Sequence, residues 1–162
     1  MYFKQKLLVY IFILICWTVS SNTALAQSKK IDSLIKVLAA RPEQDDKRAK
    51  ILIDLTTLTI VNDAKFALKY PNEVISFQTN IKDKIIVSYA YRLKGIIHYH
   101  LAMYTEALIF FNKALTIAGP LKDDYAIGGA LSNIGLVYMT QSKFPEALKY
   151  YLAALKKFEK IK

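Results

Sequence analysis

The feature that most constrains this chain is a self-similarity with a period of 40 residues. Ala67, Ala107 and Ala147 stand 40 apart, as do Leu68, Leu108 and Leu148. Tyr70, Phe110 and Tyr150 follow in the same register, then Ile75, Leu115 and Leu155. The last two passes match more closely. Gly95 answers to Gly135, Tyr91 to Leu131, His98 to Tyr138, Tyr104 to Phe144, Phe111 to Tyr151 and Ala114 to Ala154. A repeat of this length is one supersecondary unit that cannot cover its own apolar faces, so neighbouring units must stack.

Within a repeat the spacing is helical. Ala107, Phe111, Ala114 and Leu115 fall at i, i+4, i+7 and i+8, and Ala147, Tyr151, Ala154 and Leu155 do the same. Each set is one stripe of an α-helix. Leu131, Ile134, Gly135 and Tyr138 make a second stripe on a preceding helix. A short linker at 141–144 separates the two, and Pro145 falls in the first turn of the second helix, where a missing N–H is harmless. The unit is a pair of antiparallel helices. Gly135 and Ala147 are small where the helices approach, Tyr138 and Tyr151 are large where gaps must be filled, and Ala154 is small where a next repeat docks.

The segment Leu131-x-x-Ile134-Gly135-x-x-Tyr138, followed by Phe144-x-x-Ala147-x-x-x-Tyr151-x-x-Ala154, resembles the tetratricopeptide repeat. The pass from Gly95 to Ala114 is similar, with His98 for the tyrosine and Lys94 for the leucine. The earliest pass, from about Ile51 to Ile75, is degenerate: Leu55 takes the glycine place, Pro71 the aromatic place and Val74 the second alanine place. The resemblance implies an all-α fold, a right-handed α-α superhelix of antiparallel pairs. It covers residues 48–162, with repeats at about 48–87, 88–127 and 128–162. The period exceeds the family's usual 34. The distance from Gly to the first Ala is 12 in both good repeats, so the extra residues lie between one pair and the next. This long variety resembles the N-terminal region of exported bacterial sensor and regulator proteins.

The pattern predicts helices at about 29–40, 46–61, 63–79, 84–102, 104–118, 123–141 and 144–160. Asp83 and Asp123 read as N-caps and Gly119-Pro120 as a helix stop. Pro71 should kink its helix or end it near Lys69. Residues 27–47 read as an N-terminal capping helix and linker, with Ile31, Leu34, Ile35 and Leu38 at helical spacing.

Residues 1–26 have the form of a secretory signal peptide: Lys4 and Lys6, an apolar run from Leu7 to Val19, then Ala24-Leu25-Ala26 as a small-x-small cleavage site. The run is too short to span a hydrocarbon core of roughly 30 Å comfortably. Cleavage leaves residues 27–162 and lowers the net charge from +10 to +8, since Lys4 and Lys6 are the only charges removed. It also removes Cys16 and Trp17, the only Cys and the only Trp, leaving no thiol chemistry. The expected location is periplasmic or extracytoplasmic. At 54% hydrophobic residues, the chain is too apolar for disorder. The lysines are spread along it, which suits solvated helix faces or an acidic partner better than nucleic acid.

Catalytic constellations are missing. His98 and His100, the only histidines, are two apart on a helix and point about 200° from one another, so they suit no shared metal. His98 falls on a buried tyrosine position and is expected to pack or hydrogen-bond. Gly128-Gly129 follows no strand and makes no phosphate cradle. The acidic pairs Asp45-Asp46 and Asp123-Asp124 sit where helices begin and read as caps. No enzyme activity, cofactor, metal or nucleic acid enters this reading.

The resemblance implies that the first helix of each pair lines a concave face able to hold a peptide or partner protein. It places Tyr89, Arg92, Ile96, Tyr99 and His100 there from one repeat, and Ser132, Asn133, Leu136, Met139 and Thr140 from the next. In some members a Lys/Asn set clamps a carboxylate; Arg92 and Asn133 match two of its places, while Ile96 stands where an Asn belongs. The resemblance implies repeat-structural roles for Gly95, Tyr104, Ala107, Phe111, Ala114, Gly135, Tyr138, Phe144, Ala147, Tyr151 and Ala154. The function expected is a protein-interaction scaffold, or the sensory input of a signalling protein, either a histidine kinase or a transcriptional regulator, whose output lies elsewhere. Phe158 and Ile161 are expected to be partly uncovered and to offer a docking face to further repeats, a second copy or a partner. Membrane association would come only through an uncleaved signal or a downstream segment.

Overall fold

A computed structural model of the chain describes residues 26–161. The segment read as a signal peptide lies outside the described residues, except for Ala26. The chain divides into two compact units, Met1–Ala40 and Arg41–Lys162. The described part of the first is a single helix, α1 (26–39). The second unit holds α2 (Asp46–Thr59), α3 (Ala64–Ala67), α4 (Lys69–Ser76), α5 (Lys84–His100), α6 (Tyr104–Leu121), α7 (Asp124–Thr140) and α8 (Phe144–Phe158), then a 3-10 turn, Glu159–Ile161. The described residues contain no strand. The fold is an all-α stack of helix pairs: α2 with α3 and α4, α5 with α6, and α7 with α8.

The 40-residue period reappears in the backbone. α5 and α7 start 40 apart, each behind an aspartate whose carboxylate accepts from the first turn: Asp83 from the Ile85 N–H at 3.1 Å and Asp123 from the Ala126 N–H at 2.7 Å. They also end alike. The N–H of Met103 donates to the His98 carbonyl at 2.8 Å, and that of Lys143 to the Tyr138 carbonyl at 2.9 Å. Ala102 (φ 58°) and Ser142 (φ 59°) take the left-handed conformation. This is the Schellman closure, made here without glycine.

Packing within a pair follows from side-chain volume. A Cβ built on Gly95 would lie 2.5 Å from the Phe111 ring, and one on Gly135 would lie 3.0 Å from the Tyr151 ring. Ala67, Ala107 and Ala147 are buried at one register position, and Val74, Ala114 and Ala154 at another. The degenerate first pair reverses the bulk. Leu55 stands in the glycine's register and Pro71 in the ring's, and both are fully buried, so a larger first helix meets a smaller second one.

The two helical prolines behave differently. At Pro71 the expected kink is a break at Leu68 that separates α3 from α4. At Gly119-Pro120 the expected stop is overturned, because α6 runs through both residues to Leu121 and turns at Lys122 (φ 54°). Pro120 sits in the last turn and forfeits one bond, to the carbonyl of Thr116, a residue exposed to solvent.

The first helices touch in sequence, α2 to α5 and α5 to α7, whereas α4, α6 and α8 do not touch one another. The second helices therefore splay and the first helices lie on the inside of the bend.

Carboxylates tie the helix starts together. Asp45 caps α2 through the Arg48 N–H at 2.9 Å, while Asp46 accepts from the N–H groups of Lys82 and Asp83 at 2.7 and 3.1 Å, just ahead of α5. Arg41 and then the Arg48 N–H hold the Asp45 carboxyl down at about 2, against an ordinary 3.8. Lys157 lowers Asp124 in the same direction. A depressed carboxyl contributes stability above its unfolded pKa and loses it as pH falls through the folded one. The urea midpoint should therefore be steady at neutral pH and fall between about pH 3.8 and about pH 2. Asp45→Asn should flatten that fall and lower the midpoint at neutral pH, as a titration series monitored by circular dichroism would read.

Candidate functional site

The inner helices α5 and α7 share a face, and the polar groups on it are unevenly satisfied. Arg92 reaches from α5 across α7, its guanidinium 3.5 Å from where a Cβ on Gly129 would stand. Its central carbon lies 5.3 Å from the Tyr89 ring centre. The Arg92 Nε is buried without a hydrogen-bond partner in the protein, and so is the Asn133 Nδ2. Asn133 lies one helical turn beyond Gly129 on the same helix. Among the described residues no carboxylate pairs with Arg92. Burial pushes its pKa down, with the Tyr89 and Tyr125 side chains acting in the opposite sense. A guanidinium keeps its charge through such a shift. Burial likewise pushes the Tyr89 hydroxyl up, reinforced by Asp123. The face thus holds a half-buried guanidinium whose Nε–H is unused, and a buried donor without a partner costs free energy.

Two turns further along, the Tyr99 hydroxyl and the Thr140 Oγ1 meet at 2.9 Å across the two helices. Thr140 also donates to the Leu136 carbonyl at 3.0 Å. His100 is exposed, with its ring 5.9 Å from that of Tyr99. Leu136 and Met139 are exposed apolar side chains on α7, and Ser132 is half-buried. The structure thus brings Tyr89, Arg92 and Asn133 to one end of the face and Tyr99, His100 and Thr140 to the other. Ile96 has a different occupation: it packs against the clusters around Ile97 and Ile134. Gly129 and Tyr125 belong to this face and were not among the expected residues. Gly129 stands 40 residues after Tyr89, so the register marks a missing ring where the guanidinium now lies.

The residues assigned to the repeat occupy the helix-pair interfaces, except for Phe144, which is largely exposed. Tyr138 stacks on Tyr150, centroids 5.4 Å apart and planes 10° from parallel. His98 and Phe110 hold the same two register positions at 4.7 Å. His98 is buried, and its Nδ1 donates to the Lys94 carbonyl at 2.8 Å, as expected for a packed, hydrogen-bonded histidine. Among the described residues no group of three His, Cys, Asp or Glu side chains could hold a metal, and no helix is long and apolar enough to cross a membrane. An open cleft of about 370 Å³ lies between the segment following α4, the start of α5 and the end of α6. Its one cation, Lys84, is spent on the carbonyls of Gln78 and Ile81.

No family model and no curated protein matches the chain in sequence. Solved structures match it in fold. Aspartyl phosphate phosphatase F from Bacillus subtilis superposes with a TM-score of 0.71 at 19% identity, over 83% of this chain and 39% of that one. BtubC (BKLC) from P. vanneervenii superposes with 0.63 at 18% identity, over 84% of this chain and 56% of that one. The chain therefore spans well under two thirds of either protein. With the 40-residue helix pairs, these matches define the architecture as a tetratricopeptide-like helical repeat.

Proposed function

We propose that the chain is an exported, non-enzymatic scaffold that binds a peptide or partner protein on the inner face of α5 and α7. The observation that carries this reading is the pair of unused donors on that face, Arg92 Nε and Asn133 Nδ2. A half-buried guanidinium with no carboxylate partner in the protein would gain from a carboxylate on the partner. The exposed Leu136, one turn past Asn133, gives the partner apolar area near these donors, and Met139 adds more at the other end beside the bonded Tyr99–Thr140 hydroxyl pair. A groove of apolar walls with a few convergent polar groups is the usual make-up of a binding cleft.

The test is affinity capture from an extracytoplasmic extract, followed by titration of the captured partner against variants. Arg92→Glu combined with Tyr99→Ala should weaken binding at least tenfold, or about 1.4 kcal/mol, with the helical circular dichroism signal kept. Arg92→Lys should recover part of the loss, because it restores the charge without the planar fork. Undiminished binding by the double variant would move the partner off this face.

A further inference from the structure

The second helices α4 and α6 do not touch, so a groove runs between them on the outer side of α5. The cleft of about 370 Å³ beside Lys84 is one part of it. A second part, of about 190 Å³, continues past Gln78, Thr116 and Ile117 to Tyr91 and Lys113. The floor follows one row of α5: Lys84, Val87 and Tyr91 stand at i, i+3 and i+7, and Lys94 extends the row at i+10. At 100° per residue that row lies about 150° around the helix from Tyr89, Arg92 and Ile96. The groove is therefore separate from the inner face of α5 and α7.

The two ends of the groove differ in chemistry. At one end Val87, Ile117, Pro120 and Leu121 give apolar walls, and Lys84 is already bonded to backbone carbonyls. At the other end two lysines converge on one ring. The Lys94 Nζ lies 4.6 Å and the Lys113 Nζ 5.9 Å from the ring centre of Phe110, and Lys113 is also 5.6 Å from that of Tyr91. Neither lysine pairs with a carboxylate among the described residues. Burial pushes the Lys94 ammonium below its ordinary range, and Lys113 pushes it further the same way. Two like charges near one another, with no anion between them, disfavour each other's charged form.

The repeat does not need these charges for packing. Forty residues on, Lys94 is answered by the buried Ile134 and Lys113 by Ala153. Along α5 the groove runs about 15 Å from Lys84 to Lys94, a span that an extended chain covers in about five residues. A second copy is a poor occupant, because the chain's own adjacent acid pairs, Asp45-Asp46 and Asp123-Asp124, are bound to helix starts.

We infer that this outer groove binds an extended acidic segment of a partner protein, with an apolar side chain against Val87 and Ile117 and carboxylates on Lys94 and Lys113. The test uses the full chain and a short fluorescein-labelled peptide with a leucine ahead of a run of glutamates. Fluorescence anisotropy should show saturable binding that weakens as salt rises. A peptide with glutamines in place of the glutamates should bind about tenfold more weakly, or worse. Lys94→Ile combined with Lys113→Ala installs the side chains of the next repeat. That variant should keep or raise the urea midpoint, yet weaken peptide binding by about tenfold or more. Lys113→Glu, at an exposed position, should weaken binding at least as much with the helical circular dichroism signal kept, whereas Arg92→Glu should leave it unchanged. The inference is overturned if the acidic peptide does not bind, if the glutamine peptide binds equally well, or if Lys113→Glu has no effect. It is also overturned if the double variant loses stability, or if these lysines drive flotation with phosphatidylserine vesicles in place of peptide binding.

Discussion

Gly95→Ala is expected to destabilise the protein by about 2–3 kcal/mol, although alanine is the better helix former. Gly95 lies inside α5, where its own conformational freedom is a cost of about 0.5–1 kcal/mol. What holds glycine there is the Phe111 ring, 2.5 Å from where the methyl carbon would go. The ring has no room to retreat, because Phe111 is buried in the cluster with Ala107, Ile134 and Val137. The methyl group must therefore push α5 away from α6. Gly119 is the internal control. It is helical, and beyond its chain neighbours a built Cβ there meets nothing within 4 Å. Only the ring of Pro120 next in sequence resists a methyl group there, so Gly119→Ala should cost much less than Gly95→Ala.

Phe111→Ala should cost more, about 3–5 kcal/mol, the range for removing a buried aromatic side chain from a core. Phe111 is the largest of the fully buried side chains. It sits where three helices meet, on α6, above Gly95 of α5 and beside Ile134 and Val137 of α7. Its loss opens a cavity both within one pair and between that pair and the next. The loss should appear in the urea midpoint with little change in slope. In the degenerate first pair the place of Phe111 belongs to Pro71 and that of Gly95 to Leu55, a reversal of bulk legible in the sequence only because the register was known.

Features set by one element or by the period were readable from the sequence. Asp83 and Asp123 announce helix starts because a short carboxylate before an apolar stripe has one local use. Gly95 and Gly135 announce close approach because each recurs 12 residues ahead of an alanine. What escaped the sequence depends on neighbours far along the chain, or on backbone conformations in which the usual residue is missing. Ala102 and Ser142 close their helices in a conformation that normally selects glycine, so nothing in their identity gave it away. Pro120 was read as a stop because proline usually is one, whereas its position in the final turn makes it tolerable. Asp46 reaches the start of α5, more than thirty residues on. On the inner face the residue types were legible. The isolation of Arg92 was not, because it depends on which acids fail to reach it across two helices.

The central claim is that the last two helix pairs, α5 with α6 and α7 with α8, each close by a glycine on the first helix receiving a ring from the second, 40 residues apart. The most direct measurement is a double-mutant cycle for Gly95→Ala and Phe111→Ala in urea denaturation. The account predicts a reversal of sign: Gly95→Ala should destabilise the natural protein, yet stabilise the Phe111→Ala variant by about 0.5–1 kcal/mol once the ring is gone. The cycle for Gly135 and Tyr151 should couple in the same sense but less, since the approach there is 3.0 Å. Additive effects of the two substitutions at Gly95 and Phe111 would contradict the account.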